Sequence, residues 1–361
     1  MSYLNSLIEE RNLPSLLEGA NDKESFIKRQ NELRKLLADH MYGTIPKKPD
    51  HMTVDVTSDY QNFAAGKAVL KNLVINCESD GQTFSFPAWC VIPKSKKKVP
   101  AFVNINFYEG PQNRYTPTEE LVDNGFAIFS FNYKDVAGDD NDFKGKIAKN
   151  LLKSRRKKNA TSKISMWAWA TMRLMDYIET LDCIDLDNVA VIGHSRLGKT
   201  ALWTGANDER FKYVISNDSG CAGAAIERGK VGETYKLITN AFPFWFCPEF
   251  VANVQAGLDI PIDQHFLTAL TVPRTLIIGS AVLDQWADPT SEFLGAKALD
   301  DAYSLFGIPG LVTPDELPKT GSVLDEGNAC YYIREGTHYL SRHDWNTYCN
   351  IINKKMNDNN N

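Results

Sequence analysis

The chain has 361 residues, of which 43% are hydrophobic and 24% are charged, and its formal charge is −5 at pH 7. This composition excludes a wholly disordered protein. Without a basic excess, nucleic-acid binding is not expected, and no apolar run of about 18 residues predicts a membrane span. The length suits one large α/β domain with a substantial core.

The N-terminal region is predicted to be helical and to carry no secretory signal. The first residues lack a basic segment followed by an apolar one, so a cytoplasmic location is expected. Apolar residues recur at helical intervals from Lys23 to Tyr42, and Gly43 and Pro46 are typical of a helix end. Residues 1–45 are therefore expected to form a helical segment packed on the main domain.

The remainder of the chain, residues 46–355, is predicted to be one catalytic domain. Turn residues bound three β-like runs, at 51–58, 67–77 and 84–92. Continuous apolar runs and helical patterns then alternate, with strands at 99–107, 125–132, 189–193, 213–216 and 274–279 and helices at 167–181 and 196–206. Such alternation predicts a mostly parallel sheet with helices on both faces, a three-layer sandwich.

Two polar segments are expected to lie outside this sandwich. Residues 135–163, which include the basic run 153–158, are predicted to be a solvated insertion. Residues 356–361 are predicted to be a disordered tail.

The cysteines indicate reduced thiols rather than a disulfide framework. They are odd in number, scattered and never spaced as CxxC, at positions 77, 90, 183, 221, 247, 330 and 349. Mostly buried thiols of a cytosolic protein are expected. The spacing leaves open whether Cys221 and Cys247 pair.

The segment 189–199 has the layout of a nucleophile elbow. An apolar strand runs into Gly193 and Ser195 and continues as a helix, a turn that exposes a serine hydroxyl at the carboxyl edge of a sheet. The helix would direct its first N–H groups and positive dipole end at an oxyanion. The generic G-x-S-x-G is incomplete, because Leu197 takes the place of the second glycine, which follows at Gly198. A serine that caps an ordinary helix is the alternative.

A serine nucleophile needs a base, and His338 fits that role best. It follows a short β-like run and precedes the final helix, as the histidine of an α/β-hydrolase does. His343 is the rival but belongs to a helix start. His194 is expected to face away from the adjacent serine, and His265 to form a hydrogen bond within the fold.

Two carboxylates could orient this imidazole. Asp284 follows the strand at 274–280, and Asp218 follows the strand at 213–216. Asp284 ranks first, but the residues alone do not decide between them. The nearby Asp288 precedes a proline and is expected to cap the next helix.

The segment Gly193–Lys199, Gly-His-Ser-Arg-Leu-Gly-Lys, resembles the G-x-S-R-x-G-K elbow of the glucuronoyl esterase family, carbohydrate esterase family 15. This pattern accounts for the displaced glycine. The resemblance continues in the same order through further segments and covers roughly residues 25–350. These segments are 106–110, 166–170, 217–223, 242–247, 261–265, 284–289 and 336–338.

The resemblance implies an α/β-hydrolase fold with Ser195 as nucleophile and His338 as base. Arg196 would contribute its backbone N–H, and its guanidinium, to the oxyanion site. The family places the triad acid either as Glu in the segment matching Asp218 or as Asp in the segment matching Asp284. Because aspartate is one methylene shorter than glutamate at the first place, Asp284 is favoured.

The resemblance also implies residues that bind the substrate. Lys199 would hydrogen-bond the hydroxyls of a uronate sugar, Trp286 would pack against that sugar or its neighbour, and Glu233 occupies a polar sugar-contacting position. The expected partner is a carbohydrate ester, derived from glucuronoxylan or from acetylated oligosaccharides. No cofactor is predicted, and no metal site, because HExxH and paired Cys/His clusters are missing from the sequence.

The function that follows is a serine esterase that cleaves esters of (4-O-methyl)glucuronic acid through an acyl-enzyme. Deacetylation of acetylated xylan by the same triad is the first alternative. A hydrolase homologue that binds carbohydrate without catalysis is the second.

Overall fold

A computed structural model describes residues 2–145 and 157–358, and its centre is a ten-stranded sheet. The strands of this sheet are β1 (His51–Phe63), β2 (Ala68–Ser79), β3 (Gln82–Pro93), β4 (Val99–Asn106), β7 (Ala127–Asn132), β8 (Ile184–His194), β9 (Tyr213–Asn217), β10 (Thr275–Ala281), β11 (Val323–Leu324) and β12 (Ala329–Arg334). Across the sheet they follow the order β1-β2-β3-β7-β4-β8-β9-β10-β12-β11. The strands β5 (Gln112–Asn113) and β6 (Thr116–Pro117) form a separate ribbon.

Six neighbouring strands, from β7 through β4, β8, β9 and β10 to β12, are parallel. In β4, for example, Val103 pairs with Phe129 on one side and Val191 on the other. The first three strands extend the sheet as antiparallel neighbours, and β11 closes the other edge. The predicted mostly parallel sheet is therefore confirmed.

Helices cover both faces of the sheet. They are α1 (Tyr3–Glu10), α2 (Lys23–Leu37), α3 (Thr118–Asp123), α4 (Tyr133–Val136), α5 (Lys163–Ile178), α6 (Arg196–Asn207), α7 (Tyr235–Ala241), α8 (Pro248–Gln255), α9 (Gln264–Ala269), α10 (Pro289–Lys297), α11 (Asp300–Ser304) and α12 (Arg342–Asp358). Alternate strand residues point to opposite faces. Phe102 and Ala190 pack with α3 and α12, whereas Val103 and Val191 pack in the core that contains α2, α5 and α6. The three-layer sandwich is confirmed.

The N-terminal segment packs on the main domain through α2. The side-chain amide of Gln30 donates to the carbonyls of Ala269 (2.9 Å) and Val272 (2.7 Å). The region predicted to be helical is interrupted between α1 and α2, where Asn12 adopts a positive φ of 48° and Pro14 follows. A proline and left-handed backbone are incompatible with a continuous helix.

The described parts of the two predicted polar segments depart from the prediction. Within the described part of 135–163, Lys163 begins α5 with its side chain fully buried, and its ammonium donates to the Asp142 carbonyl at 2.6 Å. Residues 146–156, and with them most of the basic run, lie outside the described residues. At the other end α12 continues through residues 356–358, so the tail prediction is wrong there, and residues 359–361 lie outside the description.

All seven cysteines are free thiols, Cys221 and Cys247 among them, and six are buried. Among the described residues, every helix is too short or too polar to cross a membrane.

Candidate active site

The elbow between β8 and α6 has the strained geometry expected of a nucleophile. Ser195 adopts φ 58° and ψ −127°, a conformation that is costly for a residue with a side chain. An ideal Cβ on Gly193 would lie 2.0 Å from the Leu197 carbonyl oxygen, and one on Gly198 would lie 2.9 Å from Ser219 Cβ. Both glycines are therefore required by close packing. The Ser195 side chain makes no capping hydrogen bond to α6, which contradicts the capping alternative.

His338 lies on the loop between β12 and α12, where it meets Asp284. Its Nδ1 is 2.6 Å from Asp284 Oδ2. Asp284 is buried in the turn after β10, and its Oδ1 accepts a weaker hydrogen bond from the Ala287 amide (3.3 Å). This arrangement fixes one nitrogen of the imidazole and leaves Nε2 for a substrate or a serine.

Asp218 lies beside this pair without bonding to the histidine. A carboxylate oxygen of Asp218, a carboxylate oxygen of Asp284 and a ring nitrogen of His338 lie within 4.8 Å of one another. However, Asp218 Oδ1 accepts from the Ala281 amide (2.8 Å), and Oδ2 faces the Arg334 guanidinium at 3.6 Å. Burial and nearby carboxylates raise the pKa of Asp218 well above its usual value. Asp218 thus lies beside the site with its protonated form favoured, and of these two carboxylates it is Asp284 that hydrogen-bonds to the imidazole ring.

The Arg196 side chain is held in the cleft that Ser195 also lines. Its guanidinium forms an ion pair with Asp139 and lies over the Trp245 ring, 4.6 Å from the centroid. Asp139 also accepts hydrogen bonds from Tyr133 Oη (2.8 Å) and Trp245 Nε1 (2.7 Å). As the first residue of α6, Arg196 has a backbone N–H without a partner inside the helix. Such a donor beside Ser195 can stabilise an oxyanion.

Ser195 and His338 line one cleft of about 350 Å³. Its other lining residues are Phe107, Tyr108, Arg114, Tyr115, Tyr133, Lys134, His194 and Arg196. Within residues 2–145 and 157–358, the structure contains no hydrogen bond between Ser195 and His338. Catalytic hydrogen bonds are often long in ligand-free enzymes and tighten when substrate binds.

The three predicted sugar contacts form a separate group. Lys199 is only 3% exposed and donates from Nζ to the Ser219 carbonyl. Burial lowers its pKa, an effect that the nearby Glu233 charge partly offsets. The Glu233 amide donates to the carbonyl of Trp286 (3.0 Å), a residue that is 55% exposed. None of the three lines the cleft described above, and their contacts with sugar stay predictions.

Sequence reasoning missed two residues of the site. Asp139 fell in the stretch predicted to be solvated, although its position shortly after β7, at the carboxyl edge of the sheet, was a signal for the site. His194 was expected to face away, but it lines the cleft and its ring centroid lies 4.5 Å from that of His338. The adjacent serine and histidine therefore both line the same cleft.

The remaining candidates lie where they were expected. His265 Nε2 contacts the Pro14 carbonyl at 2.9 Å. His343 is in the first turn of α12 and does not line the cleft. Asp288 caps α10 through the Ser291 amide (3.1 Å).

The chain is similar to several known proteins. A family profile described as glucuronyl esterase of fungi matches residues 75–307. Carbohydrate esterase MZ0003, from an unknown prokaryotic organism, is 32% identical over 373 residues, which cover 91% of this chain and 84% of that protein. A 4-O-methyl-glucuronoyl methylesterase of Neurospora crassa is 30% identical over 298 residues, with coverages of 79% and 69%. The solved glucuronoyl esterase of Solibacter usitatus superposes with a TM-score of 0.86 at 28% identity, covering 94% of this chain and 97% of that one.

Proposed function

The chain belongs to the glucuronoyl esterase family, carbohydrate esterase family 15, and from this premise we infer that it hydrolyses esters of 4-O-methylglucuronic acid with Ser195 as nucleophile. The resemblance found in the sequence motifs is thereby confirmed. The chain is a carboxylic ester hydrolase, as its relatives named methylesterases indicate.

One observation carries the assignment of the chemistry. The Asp284–His338 hydrogen bond of 2.6 Å lies at the cleft that Ser195 lines. A carboxylate bonded to Nδ1 keeps that nitrogen protonated, so Nε2 carries the lone pair that a general base needs. A serine next to such a base is the usual constellation for acyl transfer.

The reaction then proceeds in two halves. Ser195 Oγ attacks the ester carbonyl as its proton moves to His338 Nε2, and the oxyanion forms at the Arg196 amide. The C–O bond to the alcohol breaks, and the alcohol leaves with the proton from His338. Water, deprotonated by the same imidazole, attacks the acyl-enzyme and releases the uronate and Ser195. Removal of an oxyanion donor in such a site costs about 3 kcal/mol of barrier.

The substrate is proposed to place its uronate near Lys199, Glu233 and Trp286. The exposed indole of Trp286 offers an apolar face to a sugar ring, and its backbone carbonyl holds Glu233 in place. A glucuronoxylan-derived oligosaccharide would suit this group, because it presents both a uronate and neighbouring sugar rings.

The proposal is tested with paired esters and the Ser195→Ala variant. We expect wild type to hydrolyse the methyl and benzyl esters of glucuronate with a higher kcat/KM than an aryl acetate. Ser195→Ala should lose on the order of 10³-fold or more in kcat. The control Ser304→Ala, which changes an exposed hydroxyl on α11, should not.

Two outcomes would overturn the proposal. A tenfold preference for the acetate would favour the deacetylase alternative. Equal rates for wild type and Ser195→Ala would show that Ser195 is not the nucleophile.

A further inference from the structure

His194 is enclosed by aromatic rings at the end of β8. It is 3% exposed. Its ring centroid lies 4.5 Å from that of His338 at an interplanar angle of 41°, and 5.5 Å from that of Tyr115 at 30°. Phe107 approaches at 6.2 Å with a steep angle of 74°. The catalytic imidazole thus has a second, buried imidazole packed against it.

The hydrogen bonds of His194 fix its tautomer. Its Nδ1 is 2.7 Å from Asn217 Oδ1, and Asn217 Nδ2 donates to Tyr348 Oη at 2.8 Å. Because the amide nitrogen of Asn217 is used by the tyrosine, its oxygen must accept, and Nδ1 of His194 must carry the proton. Burial, followed by the neighbouring His338, lowers the pKa of His194 to about 3. The ring is therefore neutral.

His338, in contrast, has few constraints of its own. Its side chain is 44% exposed, and among the residues that the structure describes it has one hydrogen bond, between Nδ1 and Asp284. A single hydrogen bond leaves a ring free to tilt about that contact. The ring of His194 limits such a tilt.

We propose that His194 is a positioning residue, whose buried ring packs on His338 and keeps Nε2 of that base directed at Ser195. The inference rests on the proposed function of Ser195 and His338 but concerns a residue outside the triad. Because the His194 ring is neutral, it places no second positive charge beside His338 once that base has accepted the serine proton.

Three substitutions separate the ring from its hydrogen bond. His194→Phe keeps a ring and loses the donor to Asn217, His194→Gln keeps a donor and loses the ring, and His194→Ala loses both. His265→Phe is the matched control, because His265 is a buried histidine 2% exposed whose pKa is also lowered, to about 4, and it does not line the cleft.

Two readouts are measured on each folded variant, with the melting temperature alongside. They are kcat and KM on the best glucuronate ester, and the rate at which a fluorophosphonate probe labels Ser195. The probe reports the serine–histidine pair even if no ester tested is turned over, so failure of the substrate assignment is distinguishable from failure of this inference. Ser195→Ala is the negative control for labelling.

We expect His194→Ala and His194→Gln to lower kcat and the labelling rate by about 10²-fold, the size of effect produced by a misplaced catalytic group. KM should change less than about threefold, and His194→Phe should recover most of the lost rate. His265→Phe should leave both readouts unchanged. A His194→Gln variant as active as wild type, or a His194→Phe variant as impaired as His194→Ala, would overturn the proposal.

Discussion

Asp284 and Asp218 are neighbouring buried acids with different contacts, and this difference predicts different effects of substitution. Asp284→Asn replaces the carboxylate on His338 Nδ1 with an amide that cannot stabilise the imidazolium. We expect kcat to fall by about 10³–10⁴-fold on the glucuronate ester, as for other triads that lose this carboxylate. Steady-state kinetics on folded protein check this prediction.

Asp218→Asn is the matched variant. Burial and nearby carboxylates raise the pKa of Asp218, which favours the protonated form of the group, and an amide imitates that form closely. The amide oxygen can still accept from the Ala281 amide, so kcat should stay within about fivefold of wild type. A larger loss in Asp218→Asn than in Asp284→Asn would reverse the two assignments.

Individual site residues could be predicted from the sequence where a local rule fixes them. Ser195 follows from the strand–glycine–serine–helix order, and His338 from its place before the last helix. Asp139 could not be predicted in this way. Its partners Arg196 and Trp245 lie 57 and 106 positions further along the chain, and no spacing pattern encodes such a contact. His194 was missed because the sequence does not show that the His338 loop folds back over β8.

The shape of the elbow between β8 and α6 requires a residue without a side chain at Gly193. In Gly193→Ala the new Cβ would lie 2.0 Å from the Leu197 carbonyl oxygen. This oxygen belongs to the backbone of α6, which cannot move aside as a flexible side chain can. We expect a loss of about 3 kcal/mol in the free energy of unfolding, measured by urea denaturation. The fluorophosphonate labelling rate of the folded fraction should fall as well, because the turn that presents Ser195 must open.

Gly145→Ala is the control for this prediction. A Cβ there would have the Asp142 carboxylate at 3.4 Å as its nearest neighbour, which is ordinary contact with a flexible side chain. Its free energy of unfolding should stay within about 0.5 kcal/mol of wild type. Equal stability of the Gly193 and Gly145 variants would contradict the packing argument.

Helices and strands could be predicted where their apolar residues follow one regular spacing. The apolar runs of β4, β7 and β8 mark buried strands, and α5 and α6 follow from their patterns with ends shifted by a few residues. The break between α1 and α2 was missed, although Pro14 signals it. The start of α5 at Lys163 was missed because a lysine with a fully buried side chain contradicts the expectation that charged residues are exposed.

The arrangement of the whole molecule brings distant segments to one edge of the sheet. Ser195 follows β8, Asp218 follows β9, Asp284 follows β10 and His338 follows β12. Since these strands are parallel and adjacent, their carboxyl ends meet, as ligand sites of open α/β sheets do. The order of the strands in the sheet thus assembles the site, whereas the sequence shows only the separate pieces.

Burial of acidic groups beneath this edge makes the stability of the whole molecule depend on pH. Glu292 is fully buried and accepts hydrogen bonds from Ser280 Oγ (2.6 Å) and the Gly220 amide (2.8 Å). Burial raises its pKa from the usual 4.5 to about 7. Between these values the folded protein keeps a proton that the unfolded chain releases. The contribution of Glu292 is therefore full below pH 4.5 and is lost as the pH rises through 7.

The size of this effect is testable with Glu292→Gln, which cannot ionise. The difference between the two pKa values corresponds to about 3 kcal/mol, so wild type should lose up to that amount from Glu292 between pH 4.5 and pH 8.5. Urea denaturation at both pH values should show a smaller loss for the variant. Burial also raises the pKa of Glu227 to about 7, and Glu227 is present in both wild type and Glu292→Gln. The same measurement on Glu227→Gln gives the share of the pH dependence that belongs to Glu227. If Glu292→Gln loses as much stability as wild type over this range, folding does not raise the pKa of Glu292, and the buried network around it must hold a charge.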